Sequence, residues 1–83
     1  MTNIEHLIQL LESDGHQGAR AIVERLRDGG ALTDYDAAKF CARHEVLTIV
    51  SRESRSTTMV IEDVAYRYSI GAATLGRVIG VHR

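Results

Sequence analysis

The stretch VIEDVAYRYSIGAATLGRVI, residues 60–79, decides the fold of this chain. Its apolar spacing predicts two short helices joined by a turn near residues 69–71. Two helices that meet at a steep angle need a small residue where their backbones approach, and Ala65 supplies it. Ile70 is expected to point inward and close the corner. The second helix is expected to dock through an apolar side that consists of Thr74, Leu75, Val78 and Ile79.

This spacing resembles the helix-turn-helix superfamily of prokaryotic transcription regulators, and the resemblance covers residues 60–79 only. It implies a small regulator of transcription whose second motif helix, at residues 72–79, enters the major groove of double-stranded DNA. The superfamily usually has Gly at the turn, where this chain has Ser69. Ser69 must therefore adopt the turn backbone itself.

The resemblance also indicates which residues would contact DNA. Arg77 is the only outward residue of the second helix whose side chain can donate to base edges. Thr74 and the amides near Gly71 are expected to touch phosphate, Arg67 to straddle the DNA backbone, and the loop at residues 52–55 to hold further phosphates. The predicted DNA- or partner-binding residues are Arg52, Arg55, Arg67, Gly71, Ala72, Ala73, Thr74, Gly76 and Arg77.

A second hypothesis is a module without DNA activity, namely an antiactivator or adaptor that binds a transcription factor or another protein. The outward side of the second helix is unusually small, and a helical glycine such as Gly76 costs roughly 1 kcal/mol against alanine. A small face lets another helix approach closely. The net charge of −1 also favours this hypothesis, because non-specific DNA binding depends on many Lys and Arg contacts.

Charge is unevenly distributed along the chain. Residues 1–45 carry five basic and eight acidic side chains, whereas residues 46–83 carry five basic and three acidic ones. The predicted motif therefore lies in the basic half. The asymmetry is mild, since a difference of this size arises easily by chance.

The composition indicates one small soluble domain, residues 1–83, with 45% hydrophobic and 25% charged residues. No run approaches the roughly twenty apolar residues that span a bilayer, so no membrane contact is expected. The start MTNIEHLIQLLESD lacks the basic segment of a secretory signal. The single Cys41 suits a reducing compartment, so we expect a cytoplasmic protein. A phage or mobile-element origin is a hypothesis that rests on the length of the chain alone.

Capping signals predict an all-α fold of four to five short helices. A capping box at residues 2–5 predicts a helix over about 3–13. A second amphipathic helix follows at about 16–28 and ends at Gly29-Gly30. Thr33 is a good N-cap for a third helix over about 34–44, with Ala37, Phe40, Cys41 and His44 along one side.

Residues 46–61 leave two alternatives open. EVLTIVS and STTMVI are rich in β-branched residues and would form a short β-hairpin. The other alternative extends the third helix or adds a fourth, and it is favoured because an isolated two-stranded hairpin is marginal.

Other functions find little support in the residues. Cys41-x-x-His44 is half of a zinc site without a second ligand pair, so no metal is expected. A Cys41–His44 nucleophile would need a pocket and an oxyanion site, so the chain is not expected to be an enzyme, and no cofactor is implied. The N-terminal helices, with Ile8 or Leu10 exposed, would form a homodimer interface.

Overall fold

The computed structural model describes residues 2–80 and shows five α-helices there, with no strand among them. They are α1 (Asn3–Ser13), α2 (Ala19–Asp28), α3 (Asp34–Arg52), α4 (Thr57–Tyr68) and α5 (Ala72–Ile79). The all-α class is therefore confirmed, with five helices. The internal contacts divide the chain into two compact units, residues 1–41 and 42–83. The single domain expected over residues 1–83 stays a prediction.

The first unit is built around the start of α1, whose bounds agree with the predicted ones. The Thr2 hydroxyl accepts a hydrogen bond from the Glu5 amide at 3.1 Å, which is one half of the predicted capping box. The Glu5 carboxylate, predicted to accept from the Thr2 amide, pairs with Arg20 instead. The carboxylate of Asp34 accepts from the amides of Asn3 and Ile4 at 3.1 and 3.3 Å. Three of the amides that a helix start leaves without partners are thus satisfied.

The core of the first unit forms where α1 packs against α2. Its buried residues on the two helices are Ile4, Leu7, Ile8, Ala19 and Val23. An exposed ion pair between Arg20 and Glu5 also joins the two helices. The hydrogen bond from the Arg20 guanidinium holds the pKa of the Glu5 carboxyl below its ordinary value.

Two expectations for the N-terminal half are wrong. Ile8 is completely buried, so it cannot contribute to the predicted dimer surface on α1, whereas Leu10 is half-buried and the homodimer itself stays a prediction. The second helix begins at Ala19 rather than at residue 16. Gly15 and Gly18 both have positive φ, which interrupts the helix geometry between them.

The third helix begins as predicted but continues eight residues further. Its N-cap is confirmed, because the Asp36 amide donates to the Thr33 hydroxyl at 3.1 Å. The reciprocal hydrogen bond from the Thr33 amide to the carboxylate lowers the pKa of Asp36. Of the side chains predicted to share its apolar side, Phe40 and His44 are exposed.

Residues 46–61 form no β-hairpin, so that alternative is wrong. Residues 46–52 complete α3, residues 53–56 form a loop, and residues 57–61 begin α4. The buried residues of α3 recur at helical spacing, as Ala38, Ala42 and Val46 do. Burial of this stripe therefore outweighs the β preference of EVLTIVS, which is a weak and context-dependent force.

In the second unit, α4 and α5 pack against each other around a corner at residues 69–71. Ser69 has φ 56° and ψ 41°, which is the left-handed helical region. The Ile70 amide donates to the Ala65 carbonyl at 2.9 Å and the Ser69 amide to the Tyr66 carbonyl at 3.2 Å. This pair of bonds is a Schellman motif, which ends a helix and satisfies two of its last carbonyls.

Burial supports the roles predicted for the corner residues. Ile70 and Ala65 are both buried, and Leu75 docks α5 with no exposed surface. The prediction for Val78 is wrong, because Val78 is exposed rather than docked on the core, and Ile79 is half-buried. Schellman motifs with the equivalent pair of hydrogen bonds also end α1, at Gly15, and α2, at Gly30. Among residues 2–80, Ser69 is the only non-glycine residue with positive φ.

We expect Ser69→Gly to stabilise the protein by roughly 0.5–1 kcal/mol, because it removes the steric cost of a left-handed backbone at a residue with a Cβ. Urea unfolding followed by circular dichroism measures the change. Ser56→Gly is the matched control, because Ser56 has ordinary extended geometry at the start of α4, and it should not stabilise. Equal or lower stability of Ser69→Gly would contradict the left-handed assignment.

Candidate functional site

The N-terminal end of α5 is the centre of the predicted contact surface. Gly71 is its N-cap, with φ −63° and ψ 135°, and no side chain caps the helix start. Gly71, Ala72 and Ala73 are all exposed. The first helical hydrogen bond of α5 is donated by the Leu75 amide to the Gly71 carbonyl at 3.0 Å. An exposed helix start of this kind presents amide donors and a partial positive charge to solvent.

The outward face of α5 is nearly flat. A Cβ added to Gly76 would meet no atom within 4 Å, so no neighbour in this chain requires a glycine there. Thr74 is half-buried, and Arg77 is exposed. The Arg77 guanidinium donates to the Thr74 hydroxyl at 3.3 Å and has no acidic partner among residues 2–80. Arg77 is therefore the one exposed side chain of this face that could bind an anion or a base edge.

Arg67, at the end of α4, is held by an acid. Its guanidinium forms an ion pair with Glu45, and the Tyr68 hydroxyl donates to the other oxygen of the same carboxylate at 3.1 Å. The oxygen that faces Arg67 is fully buried, and the ion pair is its partner. Glu45 thereby fixes the last turn of α4 to α3, immediately before the corner. Arg67 would have to leave Glu45 before it could contact a phosphate.

Acidic side chains also neutralise part of the positive charge of the loop at residues 52–55, which was predicted to hold phosphates. Arg55 forms ion pairs with Asp63 on α4 and, at 3.8 Å, with Glu53 in the loop. Arg52 is the last residue of α3 and is exposed. Within residues 2–80 it has no ion pair. Of the four arginines predicted from sequence, Arg52 and Arg77 keep their charge available, while Arg55 and Arg67 are engaged by acids.

Glu45 is the site residue that sequence reasoning missed. It lies one turn after buried Cys41 and next to buried Val46. An acidic residue on a buried helical stripe usually has a partner, because an isolated buried charge is costly. That signal was present in the sequence, but the partner lies more than twenty residues away and periodicity does not identify it.

No group of three or more His, Cys, Asp or Glu residues in the described part of the chain could hold a metal ion. None of the helices within residues 2–80 combines the length and apolar character of a bilayer-spanning helix. Comparison of the chain with protein-family models, with curated proteins and with solved structures gives no match.

We expect Glu45→Ala to lower the free energy of unfolding by about 1–2 kcal/mol, because both carboxylate contacts are lost and the Tyr68 hydroxyl loses an acceptor. Glu45→Gln retains an oxygen for Tyr68 and should cost about half as much. Urea unfolding measures both changes.

Glu53→Ala is the matched control for this pair of variants. Among the described residues its carboxylate makes one long, exposed ion pair and no other, so the free energy of unfolding should change by less than about 0.5 kcal/mol. The anchoring role of Glu45 would be contradicted if Glu45→Ala were as harmless as Glu53→Ala.

Proposed function

We propose that α4, the corner at residues 69–71 and α5 act as a helix-turn-helix, through which a small transcription regulator binds double-stranded DNA. The observation that carries the proposal is the corner itself. Left-handed Ser69, buried Ile70 and buried Ala65 join two short helices at a tight turn. An arrangement of this kind lets a second helix project its exposed side into a major groove.

The DNA contacts would come mainly from backbone and from few side chains. The amides at the exposed start of α5 suit a phosphate. Arg77 on the same helix would reach a base edge or a second phosphate, and Arg52 would contact the flanking backbone. The flat stretch of Ala72, Ala73 and Gly76 allows the helix to lie close to the groove but reads no hydrogen-bonding pattern. Sequence preference would therefore depend largely on DNA shape and deformability.

The alternative function is an adaptor or antiactivator that binds a transcription regulator protein. One observation favours it: Gly76 adjoins open space, and its neighbours on the exposed face are alanines. A flat helix face with a single charged side chain, Arg77, admits a second helix at short distance. On this alternative, Gly76→Leu would weaken the partner contact more than Arg77→Ala does.

We expect Arg77→Ala to weaken binding to a fluorescently labelled random-sequence duplex about tenfold at low salt, because it removes the one unpaired cation of α5. The slope of log affinity against log salt should fall by about one unit. Fluorescence anisotropy measures both quantities. Arg27→Ala is the matched control, since Arg27 lies on α2 and pairs with Asp28, and its affinity should match the wild-type value.

Three substitutions together decide between the two functions. If Arg52→Ala, Arg67→Ala and Arg77→Ala all bind duplex as the wild-type protein does, DNA is not the partner of this surface. If the wild-type protein does not bind duplex at low salt, the adaptor function takes its place, and Gly76→Leu becomes the variant to test against candidate regulator proteins.

A further inference from the structure

The outer face of α4 carries apolar and acidic side chains in one stripe. Met59, Glu62, Asp63 and Tyr66 recur at the i, i+3, i+4 and i+7 spacing that places residues on one side of a helix. Tyr66 is 87% exposed and Met59 is 58% exposed. Asp63 pairs with Arg55, whereas Glu62 has no ion pair among the described residues. This stripe would repel the phosphates of DNA, so a different kind of partner is expected for it.

The outer face of α2 is also apolar, but the charge beside it is basic. Ile22 is 62% exposed and Leu26 is 44% exposed. Arg25 lies on the same side of the helix, is exposed, and makes no ion pair with any described residue. A groove of about 210 Å³ with almost wholly apolar walls adjoins Ile22. Its lining residues are Leu11, His16, Ala19, Ile22 and Val23.

The two faces agree in spacing as well as in charge. Met59 precedes Tyr66 by seven residues within α4, and Gly29, the C-cap of α2, follows Ile22 by seven, which corresponds to roughly 10.5 Å along a helix axis in each case. If the two helices run antiparallel with Tyr66 at the groove, Met59 lies opposite Gly29, which has no side chain to obstruct it. Glu62 then lies opposite Leu26 and one residue from the position opposite Arg25, a distance that the long Arg25 side chain can span, while Asp63, which already pairs with Arg55, lies opposite Arg25 itself.

We propose that this chain associates with a second copy of itself by packing α4 of one copy against α2 of the other. Tyr66 fills the apolar groove beside Ile22, and Glu62 forms an ion pair with Arg25 across the interface. The interface covers the two most exposed large apolar side chains of the described residues, Tyr66 and Ile22. Two exposed charges of opposite sign that have no ion pair among residues 2–80 of one chain thus find partners in a second copy.

The number of copies in the assembly depends on which copies the outer faces of α4 and α2 contact. A closed dimer forms if the same two copies make both contacts, so that α4 of each copy packs on α2 of the other. If α4 and α2 of one copy contact two different copies, longer oligomers form. The proposal does not rest on DNA binding, because neither face includes α5. Failure of one proposal therefore leaves the other standing.

Charge exchange across the interface gives the test, with self-association measured by sedimentation velocity over a wide range of protein concentration. Arg25→Glu and Glu62→Arg should each weaken association about tenfold, because each places like charges opposite one another. The double variant Arg25→Glu/Glu62→Arg should return to within about threefold of the wild-type constant, since it restores an opposite pair. Tyr66→Ala should also weaken association about tenfold.

Arg27→Glu is the matched control, because it makes the same charge change on α2 at an arginine that already pairs with Asp28. It should leave the association constant within threefold of the wild-type value. Circular dichroism checks that every variant keeps its helices. The proposal is overturned if the wild-type protein is monomeric at all concentrations. It is also overturned if the double variant is not rescued, or if Arg27→Glu weakens association as much as Arg25→Glu does.

Discussion

The left-handed backbone at Ser69 sets the direction in which α5 leaves α4. The two hydrogen bonds from the Ser69 and Ile70 amides end α4, and burial of Ile70 keeps the turn closed. Glu45 supports the same corner from α3, because its carboxylate holds both Arg67 and Tyr68 on the preceding turn. A backbone conformation that is unfavourable for serine persists here because apolar burial and these polar contacts together outweigh its cost. The exposed face of α5 depends on this corner for its orientation.

Electrostatics limits what that face can do. The protein carries a net charge of −1, and acids neutralise Arg55 and Arg67 near the proposed interface. A DNA contact made by α5 would therefore rest on backbone amides, Arg77 and Arg52, and it would be strongly salt-dependent. The acidic outer face of α4 is better suited to another protein chain. The second unit thus offers two surfaces with different chemistry, one flat and weakly basic and one apolar and acidic.

Local signals in the sequence predicted local structure well. The Thr2 and Thr33 caps, the helix end at Gly29-Gly30 and the buried corner residue Ile70 were all identified, because each depends on residues close in sequence. The length of α3 was left open, since a short β-branched run is ambiguous until its burial is known. The Glu45–Arg67 pair and the burial of Ile8 depend on packing between separate elements, which periodicity alone does not specify. For the same reason the sequence identified the arginines of the candidate site but not which of them are engaged by acids.

The most direct test of the proposed DNA-binding surface is a two-dimensional amide NMR titration with a random-sequence duplex at low salt. The measurement reports on backbone amides, and these are the main contacts proposed for the start of α5. If α5 binds DNA as proposed, the amide shifts are confined to residues 67–80 and the loop at residues 52–55, and they disappear when salt is added. An unchanged spectrum, or shifts centred on α1 and α2, would contradict the proposal.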